Sequence, residues 1–232
     1  DEAAWGTPIL FDAPVRKALR LEARRAREGT DTAADVLDYI LLAQSFAVEP
    51  WLVAGLARGS PNVGWQLFII NAQSHSVAML LNATTKLFIA RERPYTEACT
   101  RDPSYHEACL ESDRYRSFYS SHSSVAATSA GLACAHHTNV SLYGDPVANI
   151  VACAGTGLLA LSVGALRIAS DEHWATDVIT GQLIGFSIGY FLPMLLYYRE
   201  RSGAASGAAS VGAPLALEAA PSPRLLTFTG AF

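Results

Sequence analysis

Hydrophobic positions in this chain come in long stretches at helical spacing, and the alternation of period two that marks a strand is missing. The segment Val36 to Ala57 is apolar apart from Asp38 and Glu49, and Pro50 is expected to kink it. After the break at Arg58-Gly59-Ser60-Pro61, residues Asn62 to Thr85 carry no charge, although Gln66, Asn71, Gln73, Ser74 and His75 make one side polar. Further apolar stretches run from about Ser123 to His136, Ala148 to Leu166 and Val178 to Tyr198. The last is uncharged over a length able to cross a bilayer, which takes ~20 residues. Ala, Leu and Gly dominate, so the pattern predicts an all-α fold: a helical bundle of about five long helices, read as transmembrane.

Ahead of the bundle, Pro14 opens a region in which Val15, Leu19, Ala23 and Ala26 fall at helical spacing beside Arg16, Lys17, Arg20, Arg24, Arg25 and Arg27. That pattern predicts an amphipathic helix with a basic face, exposed to solvent or resting on a membrane surface. Gly29, Thr30 and Asp31 are expected to end it and cap the next helix. The organisation read from these features is an N-terminal extension over 1–34, a helical-bundle domain over 35–201, and a flexible Ala/Gly/Ser-rich tail over 202–232.

The chain has 232 residues, half of them hydrophobic and 16% charged, with a net charge of −4. So few charges, slightly acidic in balance, exclude the basic stripe that a nucleic-acid partner would need. The composition also excludes disorder and a disulfide-dense miniature fold. A start at Asp1 rather than Met is what removal of a secretory signal would leave. Cys99 and Cys109 lie ten apart in a polar loop and are candidates for a disulfide in an oxidising compartment. Cys134 and Cys153, in apolar stretches, read as buried thiols.

Chemistry-bearing residues gather at the ends of the apolar helices. Lys86, Arg93 and Arg167 are three cations with no acidic cluster beside them in sequence, and they call for an anion. Phosphate fits, because arginine grips it bidentately and lysine supplies a point charge. A helix opening near Ser120 would add free N–H groups and its positive end. His173 and Asp177, four apart, share a helix face, and a carboxylate beside a histidine fixes its tautomer. His122 sits in a run of serines, with only hydroxyl neighbours in sequence. No metal set is apparent: the cysteines lack zinc spacing, and no carboxylate cluster suits magnesium.

These residues together resemble a known family. Lys86-Leu-Phe-Ile-Ala-Arg-Glu-Arg93-Pro94 matches the K-x6-R-P motif of the type 2 phosphatidic acid phosphatase superfamily. Tyr119-Ser120-Ser121-His122 is similar to its P-S-G-H motif. Leu166-Arg167, with His173 and Asp177 following at the family's spacing, resembles S-R-x5-H-x3-D. Three departures stand out: Tyr119 for Pro, Leu166 for Ser and Ser121 for Gly. Ser121 places a side chain where glycine lets the backbone approach phosphate, which reads as tuning of the pocket.

The resemblance implies a phosphoric ester hydrolase without a metal or other cofactor. His173 would attack phosphorus, Asp177 would orient its ring, and His122 would protonate the leaving alcohol and then activate water. Lys86, Arg93, Arg167, Ser120 and Ser121 would surround the phosphoryl oxygens. Vanadate would act as an inhibitor or, in a haloperoxidase reading, as the cofactor. The expected partners are a phosphorylated lipid or other small phosphoester, together with membrane lipids; the sequence leaves the oligomeric state open. The expected location is a bacterial-type inner membrane with the site facing the periplasm or exterior. The alternatives are a soluble periplasmic or secreted acid phosphatase, and an inactive homologue that only binds lipid phosphate.

Overall fold

The computed structural model of the chain describes residue 5 and residues 8–198. The tail over 202–232 and the basic pair Arg199 and Arg201 lie outside the described residues. Helix α1 covers Asp12–Leu19 and α2 covers Arg24–Ala43. Then come α3 (Pro61–Phe88), the short α4 (Thr96–Cys99), α5 (Ser121–Asn139), α6 (Pro146–Ala169) and α7 (Ala175–Pro193). Among the described residues there is no strand, only an isolated bridge between Trp5 and Arg91. The all-α reading holds: α2, α3, α5, α6 and α7 form the bundle, and α1 packs on α6 and α7.

Two boundaries differ from the sequence reading. The basic segment divides into two helices at residues 20–23, and α2 then runs without a stop through Gly29, Thr30 and Asp31. Tertiary contacts override the weak local signal here. Buried Arg27 donates to the carbonyls of Leu21, Glu22 and Tyr105, while Asp31 accepts from Arg167. The boundary read between residues 34 and 35 therefore falls inside α2. Much of the basic face is also matched within the protein: Arg16 pairs with Asp171 and Glu97, Arg20 with Glu22, and Arg24 with Glu28.

At Pro50 the helix widens rather than breaks. Residues Gln44–Ala57 continue α2 as a π-type coil, which accommodates a residue without a backbone N–H. Just past it, a Cβ at Gly64 would lie 2.2 Å from the Pro50 carbonyl oxygen, so α3 packs directly on this coil.

The tightest contact is between α5 and α7. A Cβ at Gly181, Gly185 or Gly189 would lie 2.7, 2.2 or 2.2 Å from the carbonyl oxygens of Ser120, Ser124 and Thr128. A glycine at every fourth position lets the two backbones touch, as small residues do in packed membrane helices. This stripe fixes the start of α7 beside the start of α5.

At the other end of the bundle a polar network joins the helices. His137 bridges Glu49 and Asn149, and His136 bridges Asn71 and Tyr198. The two adjacent histidines point different ways, as expected from their positions on one helix. Cys134 and Cys153 are not thiols: they form a disulfide between α5 and α6. The sequence reading missed it because 19 residues separate them, and only the packing of α5 on α6 brings their Cα atoms to 4.4 Å. The Cys99–Cys109 disulfide is present as read.

Three helices are long and apolar enough to cross a membrane: Arg24–Ala57, Pro146–Ala169 and Ala175–Tyr198. Large side chains on their outer faces are exposed, among them Leu52, Leu56, Ile150, Leu158, Leu183 and Leu195. An exposed apolar surface of this extent is the signature of contact with lipid, and the protein is membrane-associated.

Candidate active site

The three motifs meet at one end of the bundle. Lys86 lies in the last turn of α3, Ser120 caps α5, Arg167 lies in the last turn of α6, and His173 sits in the turn before α7. The N-termini of α5 and α7 therefore open at this end, and their free N–H groups and dipoles favour an anion there.

The serines divide their roles. Ser120 is fully buried, and its Oγ accepts from Ser123 N at 3.4 Å and from Ser123 Oγ at 3.0 Å. It is an N-cap holding the helix start, with its backbone N–H on the Asp177 carbonyl. Ser121 is half-buried, and its Oγ accepts from Lys86 Nζ at 2.6 Å. The hydroxyl at the expected glycine position thus engages one of the three cations.

The two arginines are not bare. Arg93 donates to Glu172 Oε2 and, at 2.5 Å, to Asp113 Oδ2. Arg167 donates to Asp31 Oδ1 at 2.5 Å, and its Nη2 lies 3.6 Å from Glu172 Oε2. One carboxylate oxygen is therefore shared by both guanidinium groups. This corrects the reading of cations without acidic partners for Arg93 and Arg167, while Lys86 bonds only the Ser121 hydroxyl. The acids come from α2, the loop before α5 and the residue ahead of His173, and only the fold assembles them.

Glu172 also accepts from His106 at 2.7 Å, and His106 stacks on Tyr95 with ring centroids 4.1 Å apart. Burial would raise the Glu172 carboxyl, but the His106 hydrogen bond and the charges of Arg93 and Arg167 overcome it and hold it at about 2. The loop between the first two motifs, clipped by Cys99–Cys109, is anchored on the site through this contact.

His173 is buried, and its backbone N–H is held by the Arg167 carbonyl at 3.2 Å. Burial first, then the positive charges of Arg93, Arg167 and Lys86, push its pKa well below the usual histidine range. Both effects favour the neutral ring, the form whose nitrogen has a lone pair. Asp177 is one turn on, but its Oδ2 stands 3.8 Å from His173 Nδ1, beyond hydrogen-bond reach. That carboxylate is occupied: Ser117 Oγ donates to it at 2.5 Å, Trp174 N at 3.1 Å, and Arg91 bonds its other oxygen.

Arg91 went unread in the sequence, although it lies inside the first motif. Fully buried, it also donates to Asp12 Oδ2 at 2.5 Å and to Thr176 Oγ1 at 2.8 Å. His122 stands at the open side, its Nε2 3.2 Å from Asp35 Oδ1. The structure thus brings together every residue that the motifs singled out, and adds Asp31, Asp35, Arg91, Asp113 and Glu172. The one sequence signal for the α2 pair was two carboxylates a turn apart at the head of an apolar helix.

Among the described residues, no group of three or more His, Cys, Asp or Glu side chains is arranged to hold a metal ion. Comparison with known families gives a match to the PAP2 superfamily over residues 67–201, more than half of the chain. The chain belongs to the PAP2 superfamily. No curated protein and no solved structure matches it. The superfamily's general activity is phosphatase-like, and its members also include haloperoxidases. The match covers α5, α6, α7 and most of α3, so Asp12, Asp31 and Asp35 are contributed from outside it.

Proposed function

We propose that this PAP2 protein is a metal-independent phosphatase that hydrolyses a phosphomonoester or diphosphate, a lipid phosphate by preference, through a phosphohistidine. The observation that carries this reading is the Glu172 carboxylate oxygen shared by Arg93 and Arg167 beside His173. Two guanidinium groups converging on one oxyanion, next to a neutral histidine, form a clamp in which a phosphoryl group can replace the carboxylate.

In this scheme Arg93, Arg167, Lys86 and Ser121 hold the non-bridging oxygens and stabilise the charge that develops on them. The His173 nitrogen that does not face Asp177 attacks phosphorus while His122 protonates the departing oxygen. Water then attacks the phosphohistidine with His122 as base. Asp177 acts through position: it anchors Arg91, Ser117 and the Trp174 N–H, and so sets the turn that carries His173.

A lipid substrate is supported by the three candidate membrane helices and their exposed leucines. A periplasmic or exterior orientation is supported by the Cys99–Cys109 disulfide in the loop at the site, since such bonds persist on the oxidising side.

The test is phosphate release from a panel of lipid phosphates in detergent with EDTA. Activity should persist, vanadate should inhibit it, and labelled substrate should leave an acid-labile, base-stable phosphoenzyme that His173→Ala abolishes. A loss of at least ~10³-fold is expected for that variant. A strict requirement for Mg²⁺, or label that survives in folded His173→Ala, would overturn the reading.

A further inference from the structure

His122, the proton carrier of the proposed reaction, shares its end of the bundle with three cations: Lys86, Arg93 and Arg167. Burial first, then the charges of Arg167, Lys86 and Arg93, push its pKa down to about 3, and only a carboxylate counters them. Within the family-matched region Glu172 counters this field through its charge, but it is engaged by Arg93 and His106. The carboxylate that reaches His122 comes from α2. Asp35 Oδ1 lies 3.2 Å from His122 Nε2 and 3.4 Å from Arg167 Nη1. Asp31, one turn earlier on the same face, pairs with Arg167 at 2.5 Å.

From this geometry we infer that Asp35 is a positioning residue for His122, holding its ring at the mouth of the site so that Nε2 can hand a proton to a leaving group. The inference rests on the phosphohistidine reading above. In the first step the His173 nitrogen–phosphorus bond forms as the bond from phosphorus to the leaving oxygen breaks, and the His122 proton passes to that oxygen. Asp35 exchanges no proton in this step. A carboxylate beside an unprotonated Nε2 then favours recapture of a proton, as the second step requires. There a water oxygen bonds phosphorus, the nitrogen–phosphorus bond breaks, and the water's proton goes to His122. Asp35 lies outside residues 67–201, so this arrangement is an addition that α2 makes to the family's core.

The two side chains are partly open, 36% for His122 and 41% for Asp35, so substitution at Asp35 does not hollow the core. The test compares dodecyl phosphate, whose alkoxide needs a proton to leave, with 4-nitrophenyl phosphate, whose phenolate does not, on the full chain in detergent. Asp35→Asn should lower kcat/KM for dodecyl phosphate about 10- to 100-fold more than for 4-nitrophenyl phosphate, as loss of general acid assistance does, the loss common to both substrates reporting the Asp35 contact with Arg167. Asp35→Glu, which keeps the charge, should recover part of the dodecyl phosphate rate. Added to His122→Ala, Asp35→Asn should cost dodecyl phosphate no more than it costs 4-nitrophenyl phosphate, because the rest of its effect passes through His122. Asp31→Asn, acting on Arg167, should slow both substrates alike.

Equal losses on the two substrates for Asp35→Asn, or an undiminished loss in the His122→Ala background, would overturn the inference while the phosphatase reading stands. If His122→Ala itself fails to distinguish the substrates, the acid role of His122 falls and Asp35's role falls with it.

Discussion

At the scale of single residues, the site pairs its arginines with carboxylates and leaves Lys86 with only a hydroxyl. Glu172 shows the consequence for stability. Its carboxyl titrates at about 2 in the folded protein against an ordinary 4.5. A depressed carboxyl contributes stability above its unfolded pKa and loses it as pH falls toward the folded one. The gap in Tm between the wild type and Glu172→Gln should therefore be widest above pH 5 and narrow steadily toward pH 2. A gap that stays constant over that range would mean the charge of Glu172 is not what stabilises the clamp. Asp177 shows a second consequence: a residue expected to hold the nucleophile's ring is tied to Arg91, Ser117 and Trp174 instead. Its effect on His173 passes through the backbone turn.

Among the elements, the contact of α5 with α7 decides whether the site exists. Ser120 at the head of α5 receives its backbone partner from Asp177 at the head of α7, and the glycines at 181, 185 and 189 set how closely those heads approach. Gly185→Ala would drive a Cβ to 2.2 Å from the Ser124 carbonyl oxygen. Overpacking of this kind costs roughly 1–3 kcal/mol, and activity should fall along with Tm. Gly155 on α6 is the control, since a Cβ there meets nothing within 4 Å. Gly155→Ala should be neutral or stabilise by roughly 0.5–1 kcal/mol, the ordinary preference of a helix for alanine. Thermal unfolding of the two variants side by side checks the pair; equal behaviour would deny the close approach.

For the whole molecule, polarity runs from one end to the other. One end carries the charged site and the loop clipped by Cys99–Cys109, while the other carries the His136–His137 network, with Trp51 tilted against Trp65 at 6.1 Å. Partly exposed Trp residues suit a membrane interface. In intact cells or right-side-out vesicles, a protease unable to cross the bilayer should cleave the loop over residues 95–117 once its disulfide is reduced. The protein itself should stay with membranes through an alkaline carbonate wash. Cleavage only after the membrane is opened would reverse the orientation, and release by carbonate would make the association peripheral.

Much of this was legible along the chain. Long uncharged stretches at helical spacing fixed a helical bundle, because hydrophobic period is a local property that survives any arrangement of the helices. The motif residues were legible for a similar reason: Lys86 to Arg93, and Arg167 through His173 to Asp177, are spaced within single segments, so sequence distance stands in for spatial distance. What failed to show involves partners far apart in the chain. Asp35 meets His122 and Asp31 meets Arg167 across 87 and 136 residues; Cys134 finds Cys153 only when α5 lies on α6. Even the end of the first helix was decided this way, since Arg27 and Asp31 found partners that carried α2 through Gly29. The sequence by itself determined which residues can bind and transfer a phosphoryl group. Only the tertiary structure decided which acids balance the cations, because electrostatic pairing depends on distance in space and the chain places no limit on which segments supply it.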